Sequence, residues 1–223
     1  MSTHTRSISS IEEEVDLIKA AQKDAQAFKP LYEKYFKSIY VFVLHRIGEK
    51  SLSADITSQV FLKALLNIGK YKFQGLPYSA WLYRIALNEC YDFMRKSSRY
   101  RFVSIDDTSI EHLYEELTTE SHLEDLRIKL PSLLERLSAE ELHLVELRFF
   151  DRRPFKEVAD ILGITETYAK VKLYRVLAKM KKLFAESNPC RYNNQTMNLK
   201  IKIMNRQPQV SDEEVKGYMD FEG

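Results

Sequence analysis

Apolar residues recur at helical spacing along most of this chain, and the recurrences fall into two groups separated by a polar, acidic stretch. Ser10 and Glu13 form a capping-box pair ahead of Val15, Ile18, Ala21 and Phe28, which predicts a first helix. Residues 28–47 continue the helical period with an aromatic face of Phe28, Tyr32, Tyr35, Phe36, Tyr40 and Phe42. A third helix repeats at Ile56, Val60 and Ala64 and at Phe61, Leu65 and Ile68. A fourth, SAWLYRIALNECYDFMRK, follows the loop YKFQGLPY. These predict one helical module over residues 11–96 after a tail of residues 1–10.

Residues 97–127 carry scattered apolar positions and read as a flexible linker with at most a short helix near 110–117. A second module is expected over residues 128–187, opening near Leu130 and Pro131. Ser138 and Glu141 cap a helix over 139–149, and Asp151 to Pro154 make a turn. The segment FKEVADILGITETYAKVKLYRVLAKMKKL, residues 155–183, then reads as a helix-turn-helix. Val158, Ala159, Ile161, Leu162, Ile164, Ala169 and Leu173 supply the packing, Gly163 the left-handed turn, and Thr165 the cap of the second helix. Beyond it, residues 188–223 form an extension, read either as a disordered tail or as a docking peptide. Within the extension, residues 199–204 alternate like a strand, and Ser211 with Glu214 caps a short helix carrying Val215, Tyr218 and Met219. The fold class is therefore all-α, two helical modules joined by an acidic linker.

Charge changes this picture more by position than by sum. The 223 residues hold 34 Lys and Arg against 32 Asp and Glu, a formal net charge of +2. Arg95, Lys96, Arg99 and Arg101 are followed by Asp106, Asp107, Glu111, Glu115, Glu116, Glu120, Glu124 and Asp125, with no Lys or Arg among residues 104–125. The second helix of the helix-turn-helix is basic, with Lys170, Lys172, Tyr174 and Arg175 on or beside its outward face. On the fourth helix Arg84, Asn88, Tyr91 and Arg95 share one face, suited to phosphate contact, base-edge hydrogen bonding and stacking. Tyr71, Phe73 and Tyr78 offer ring surfaces in the preceding loop, with Lys72 and Gln74 as polar readers of an unpaired base; Trp81 and some of these rings also suit the core.

Other chemistry is not indicated. Cys90 and Cys190 have no companion at metal-ligand spacing, the five histidines are scattered, and no nucleophile-base pair or phosphate-binding glycine loop is present. No cofactor and no metal are expected. The acidic N-terminal region and the lack of a long apolar run predict a cytoplasmic protein with no membrane insertion.

With these motifs in hand, the chain resembles bacterial RNA polymerase sigma factors of the extracytoplasmic-function (ECF) group. WLYRIALNECYDFMRK is similar to the family's segment for promoter melting and minus-ten recognition, with Trp81, Leu82, Arg84, Ile85, Ala86, Asn88, Asp92 and Arg95 on its pattern. LSAEELHLVELRFFDRRPFKEVADILGITETYAKVKLYRVL resembles the domain that reads the minus-thirty-five element. The resemblance implies base capture by the loop at 71–78 and upstream DNA contact by Lys170, Val171, Lys172, Tyr174 and Arg175. It implies core polymerase binding by the third helix, through Asp55, Ser58, Gln59 and Lys63, to the clamp helices of the largest subunit. Contact with the flap of the second-largest subunit and with duplex and single-stranded promoter DNA is implied as well. The charge of the acidic linker itself, which mimics a nucleic-acid strand, suits either a path through a nucleic-acid channel or a solvated linker. Ala54, Ser58 and Gln59 depart from the family's more polar pattern, and Tyr168, Ala169 and Val171 replace a commoner Thr, Val and Ser. Three readings follow: a non-catalytic alternative sigma factor; an adaptor whose second module or tail docks on an anti-sigma factor or a DNA-targeting recruiter; and a stand-alone helix-turn-helix regulator.

Overall fold

The structure is a computed structural model that describes residues 5–73, 75–97, 101–104, 107–117, 123–186, 201–204 and 210–219. It divides into two compact units, residues 1–92 with 209–223 and residues 93–208.

The first unit is built on α1 (Thr5–Lys23), α2 (Lys29–Ile47), α3 (Lys50–Asn67) and α4 (Tyr78–Ser97), whose last residues enter the second unit. α1 begins five residues before the predicted capping box; neither Gly nor Pro interrupts residues 5–10. Pro30 starts α2, and Gly48, in a left-handed conformation, ends it. Glu49 then caps α3 by accepting from the backbone N–H groups of Ser51 and Leu52. α2 is the core: Leu31, Phe36, Ile39, Tyr40 and Val43 are fully buried. Phe61 of α3 meets the rings of Phe28, Tyr32 and Phe36 at 6.4, 4.8 and 6.0 Å. This aromatic packing is the face predicted for residues 28–47. A short helix, α10 (Asp212–Met219), belongs to the same unit and packs on α2.

The second unit holds α5 (Asp107–Leu117), α6 (Leu123–Glu135), α7 (Ala139–Val145), α8 (Phe155–Leu162) and α9 (Glu166–Glu186). The stretch read as a linker is thus helical over much of its length, and Leu113 and Leu117 of α5 are buried in this unit. α6 also begins well before the expected opening at Leu130 and runs through Pro131. An interior proline costs about 3 kcal/mol, and burial of Leu126, Leu130, Leu133 and Leu134 along one face outweighs it. α7 has the predicted capping box, Ser138 with Glu141, and widens into a single π turn at Glu146–Phe150. Two strands, β1 (Arg101–Ser104) and β2 (Ile201–Met204), pair in parallel with Arg101 opposite Ile201. The strand at 199–204 was legible from alternation; its partner was not.

Candidate nucleic-acid interface

The aromatic loop is pinned before it reaches α4. The Gln22 side-chain amide donates to the carbonyls of Ile68 and Tyr71 at 3.0 and 2.9 Å, fixing where the chain leaves α3. Gly75 takes a positive φ of 77°, a conformation that favours glycine, and a Cβ there would meet nothing within 4 Å, so the constraint is conformational. At the far end the Glu14 carboxylate accepts the Tyr78 backbone N–H at 3.0 Å, the Lys34 ammonium at 2.9 Å and the Tyr35 hydroxyl. Burial of Glu14 opposes its ionisation, yet these donors outweigh it and hold its carboxyl below the ordinary 4.5.

Between α3, this loop and α4 lies an open cavity of about 380 Å³, within the size range of small-ligand sites, about 300–1,000 Å³. Tyr71 and Trp81 form its aromatic wall, their ring centroids 5.0 Å apart; Ile85 adds an apolar surface, and Asn67, Lys70 and Asn88 supply polar atoms. Lys63 and Glu89 close one side as an ion pair at 2.5 Å. A planar, unstacked base has here a ring surface to lie on and amide and ammonium groups to bond.

The predicted residues divide accordingly. Tyr71 and Asn88 line the cavity, and Lys72 and Phe73 are exposed beside it. Gln74 lies outside the described residues. Arg95 is exposed on α4, while Arg84 and Tyr91 are half-buried. Tyr78 is fully buried among Tyr35, Tyr71 and Trp81, so it closes the core and offers no ring surface to DNA. Trp81, which sequence reasoning gave largely to the core, is only half-buried and faces the cavity.

On α3, Asp55 and Gln59 are exposed and Ser58 is half-exposed. Lys63 is exposed as well and pairs with Glu89 at the cavity edge. Leu62 and Leu66 were missed: they are 55% and 71% exposed and extend the Asp55–Gln59 face at helical spacing. Both leucines stand off the two apolar stripes of that helix, and this was the available signal. Asn67, Lys70 and Glu89 were also missed, with no comparable signal for them.

In the second unit α8 ends on Gly163, left-handed at φ 70°, and the Thr165 hydroxyl accepts the Tyr168 N–H at 3.2 Å to cap α9. Val158, Ala159, Ile161, Ala169 and Leu173 are buried between the helices, as expected. Lys170, Val171, Tyr174 and Arg175 are exposed. Lys170 pairs with Glu166 at 2.7 Å. Lys172 is turned toward α7, where the Glu140 carboxylate holds it at 2.6 Å. The pair with Lys172 keeps the Glu140 carboxyl below its ordinary value. Tyr168, Val171 and Tyr174 make an exposed apolar stripe, 48%, 42% and 64% accessible.

Among the described residues no group of His, Cys, Asp and Glu is arranged to hold a metal ion, and no helix is long and apolar enough to cross a membrane. The sequence matches Sigma-70 region 2 over residues 31–100 and Sigma-70 region 4 over residues 133–182. It is 33% identical to the ECF RNA polymerase sigma factor BldN of Streptomyces coelicolor, over 77% of this chain and 66% of BldN. It is 30% identical to the RNA polymerase sigma factor SigV of Bacillus subtilis, over 65% of this chain and 83% of SigV. The solved structure of CnrH in complex with the cytosolic domain of CnrY aligns with a TM-score of 0.45 and 18% identity, covering 77% of this chain and 97% of that one. With both regions matched in order, the chain belongs to the RNA polymerase sigma factors of the ECF group, the alternative initiation subunits that bind core polymerase and direct it to promoters.

Proposed function

We propose a division of labour between the two units of this sigma factor. The first unit binds core polymerase and opens the minus-ten region; the second, through its helix-turn-helix, places the complex on the upstream element. The exposed face of α3, Asp55, Ser58 and Gln59 together with Leu62 and Leu66, meets the clamp helices of the largest polymerase subunit. A non-template base leaves its stack and enters the cavity, lying against Tyr71 and Trp81 with its edge toward Asn88 and Lys70. Lys72, Phe73, Arg84, Tyr91 and Arg95 take the flanking strand.

Opening is then driven by captured-base binding energy, with each stacked base contributing about 1 to 3 kcal/mol. The chain acts without covalent chemistry of its own, in the cytoplasm, where core polymerase and DNA are found. The observation that carries this reading is the cavity itself, an aromatic wall and an amide brought together by α3, the pinned loop and α4.

The test is run-off transcription by core polymerase on a pool of genomic fragments, with and without this protein, comparing the Lys170→Ala, Arg175→Ala double variant. Protein-dependent transcripts that fall at least tenfold in the variant support a self-sufficient sigma factor. A specific observation favours a second reading, in which α9 docks on a DNA-targeting recruiter or an anti-sigma factor: its apolar stripe is exposed while Lys170 and Lys172 are engaged by acids. Polymerase binding with no transcript until another protein is added selects that reading.

A further inference from the structure

The C-terminal helix α10 sits on the first unit through contacts of three kinds. Its acidic first turn faces two lysines: Asp212 pairs with Lys37 of α2, and Glu214 with Lys50 of α3 at 2.5 Å. Its Tyr218 ring lies 5.4 Å from Tyr40 of α2, tilted by 31°. Its Val215 is 3% exposed, fully seated. The helix is formed locally as well, since the Ser211 hydroxyl accepts the Glu214 N–H at 3.2 Å as an N-cap.

These contacts are specific yet weak. Lys37 and Asp212 are mostly solvent-exposed, so their attraction is small and screened by salt. Eight residues are too few to hold a helix alone, and Gly217 in the middle weakens it further, with no close neighbour that requires a glycine. Attachment to the same chain keeps the helix near the surface and favours docking through effective concentration.

We infer that Lys37, Tyr40 and Lys50 form a receptor for an acidic amphipathic helix, that α10 is its built-in occupant, and that a partner protein presenting such a helix binds by displacing α10. The chemistry of the partner is set by the occupant: two or three acids in the first turn, a β-branched residue in the second, and a tyrosine three positions later.

Two experiments on the full chain test this. Hydrogen exchange of the α10 amides is compared between the wild type, the Lys37→Glu, Lys50→Glu variant, and that variant combined with Asp212→Lys and Glu214→Lys. Protection is expected in the wild type, a loss of at least tenfold in the one-sided variant, and recovery in the charge-swapped chain. In the second, a fluorescent peptide of residues 209–223 is titrated into the wild type and into Val215→Asp, whose own helix is undocked. At least tenfold tighter binding to Val215→Asp, abolished by adding Lys37→Glu and Lys50→Glu, is the expected result. Wild-type α10 amides that exchange without protection, protection unchanged in the one-sided variant, or a peptide that binds both chains equally or neither would overturn the inference.

Discussion

The two units present their chemistry in opposite ways. In the first, the candidate site is concave: Tyr71 is held by the Gln22 clamp, and Tyr71 and Trp81 both pack on the buried Tyr78, itself fixed by Glu14, so the rings are ordered before any ligand arrives. In the second, the site is the convex face of one helix, and two of its cations, Lys170 and Lys172, are paired with acids of the same unit until something displaces them. The difference teaches where binding free energy goes. A preorganised cavity can spend it on unstacking a base, whereas a charged helix surface exchanges one ion pair for another and gains chiefly selectivity and position.

The strongest way to break this comparison is to remove what the first unit needs before either site acts. Leu62→Asp with Leu66→Asp puts two charges on the exposed apolar face of α3, and core-polymerase affinity is expected to fall about 100-fold. Fluorescence titration with labelled core polymerase measures it, and thermal unfolding should be unchanged because both side chains are solvent-facing.

Preorganisation is tested next through Glu14. Glu14→Ala strands the Tyr78 N–H and the Tyr35 hydroxyl, and urea unfolding at pH 7 should show a loss of about 2–3 kcal/mol. Because the folded state holds this carboxyl below its ordinary 4.5, its ionised form stabilises the protein above that value, and the contribution is lost as pH falls through the depressed one. The difference between wild type and variant should therefore shrink as the pH falls below the ordinary 4.5 and through the depressed value.

The smallest effect sharpens the second unit. Glu140→Gln releases Lys172, so upstream-duplex affinity should rise a fewfold and the salt dependence should steepen by about one counterion. Affinity titrations at several salt concentrations measure both.

Helical period located α2, α3, α4 and the helix-turn-helix, and the caps at Ser138, Gly163, Thr165 and Ser211 were readable because each uses a residue type with one dominant local role. Pro131 and the acids of 104–125 misled for the same reason in reverse: local signals argued for a break, while buried leucines of α5 and α6 decided the outcome through tertiary packing. In the candidate site, period placed Asn88 on α4 but could not reveal that Trp81 turns to the cavity, that Tyr78 turns away from it, or that Lys63 meets Glu89. Those facts depend on how α3, the loop and α4 approach one another, 26 residues apart in the case of the ion pair.

Permanganate footprinting of polymerase holoenzyme carrying Trp81→Ala asks whether the cavity opens the promoter while the second unit places the complex. Thymine reactivity in the minus-ten region is expected to fall about tenfold or more, with protection of the upstream element retained. Wild-type reactivity in the variant, or loss of upstream protection together with melting, would contradict it.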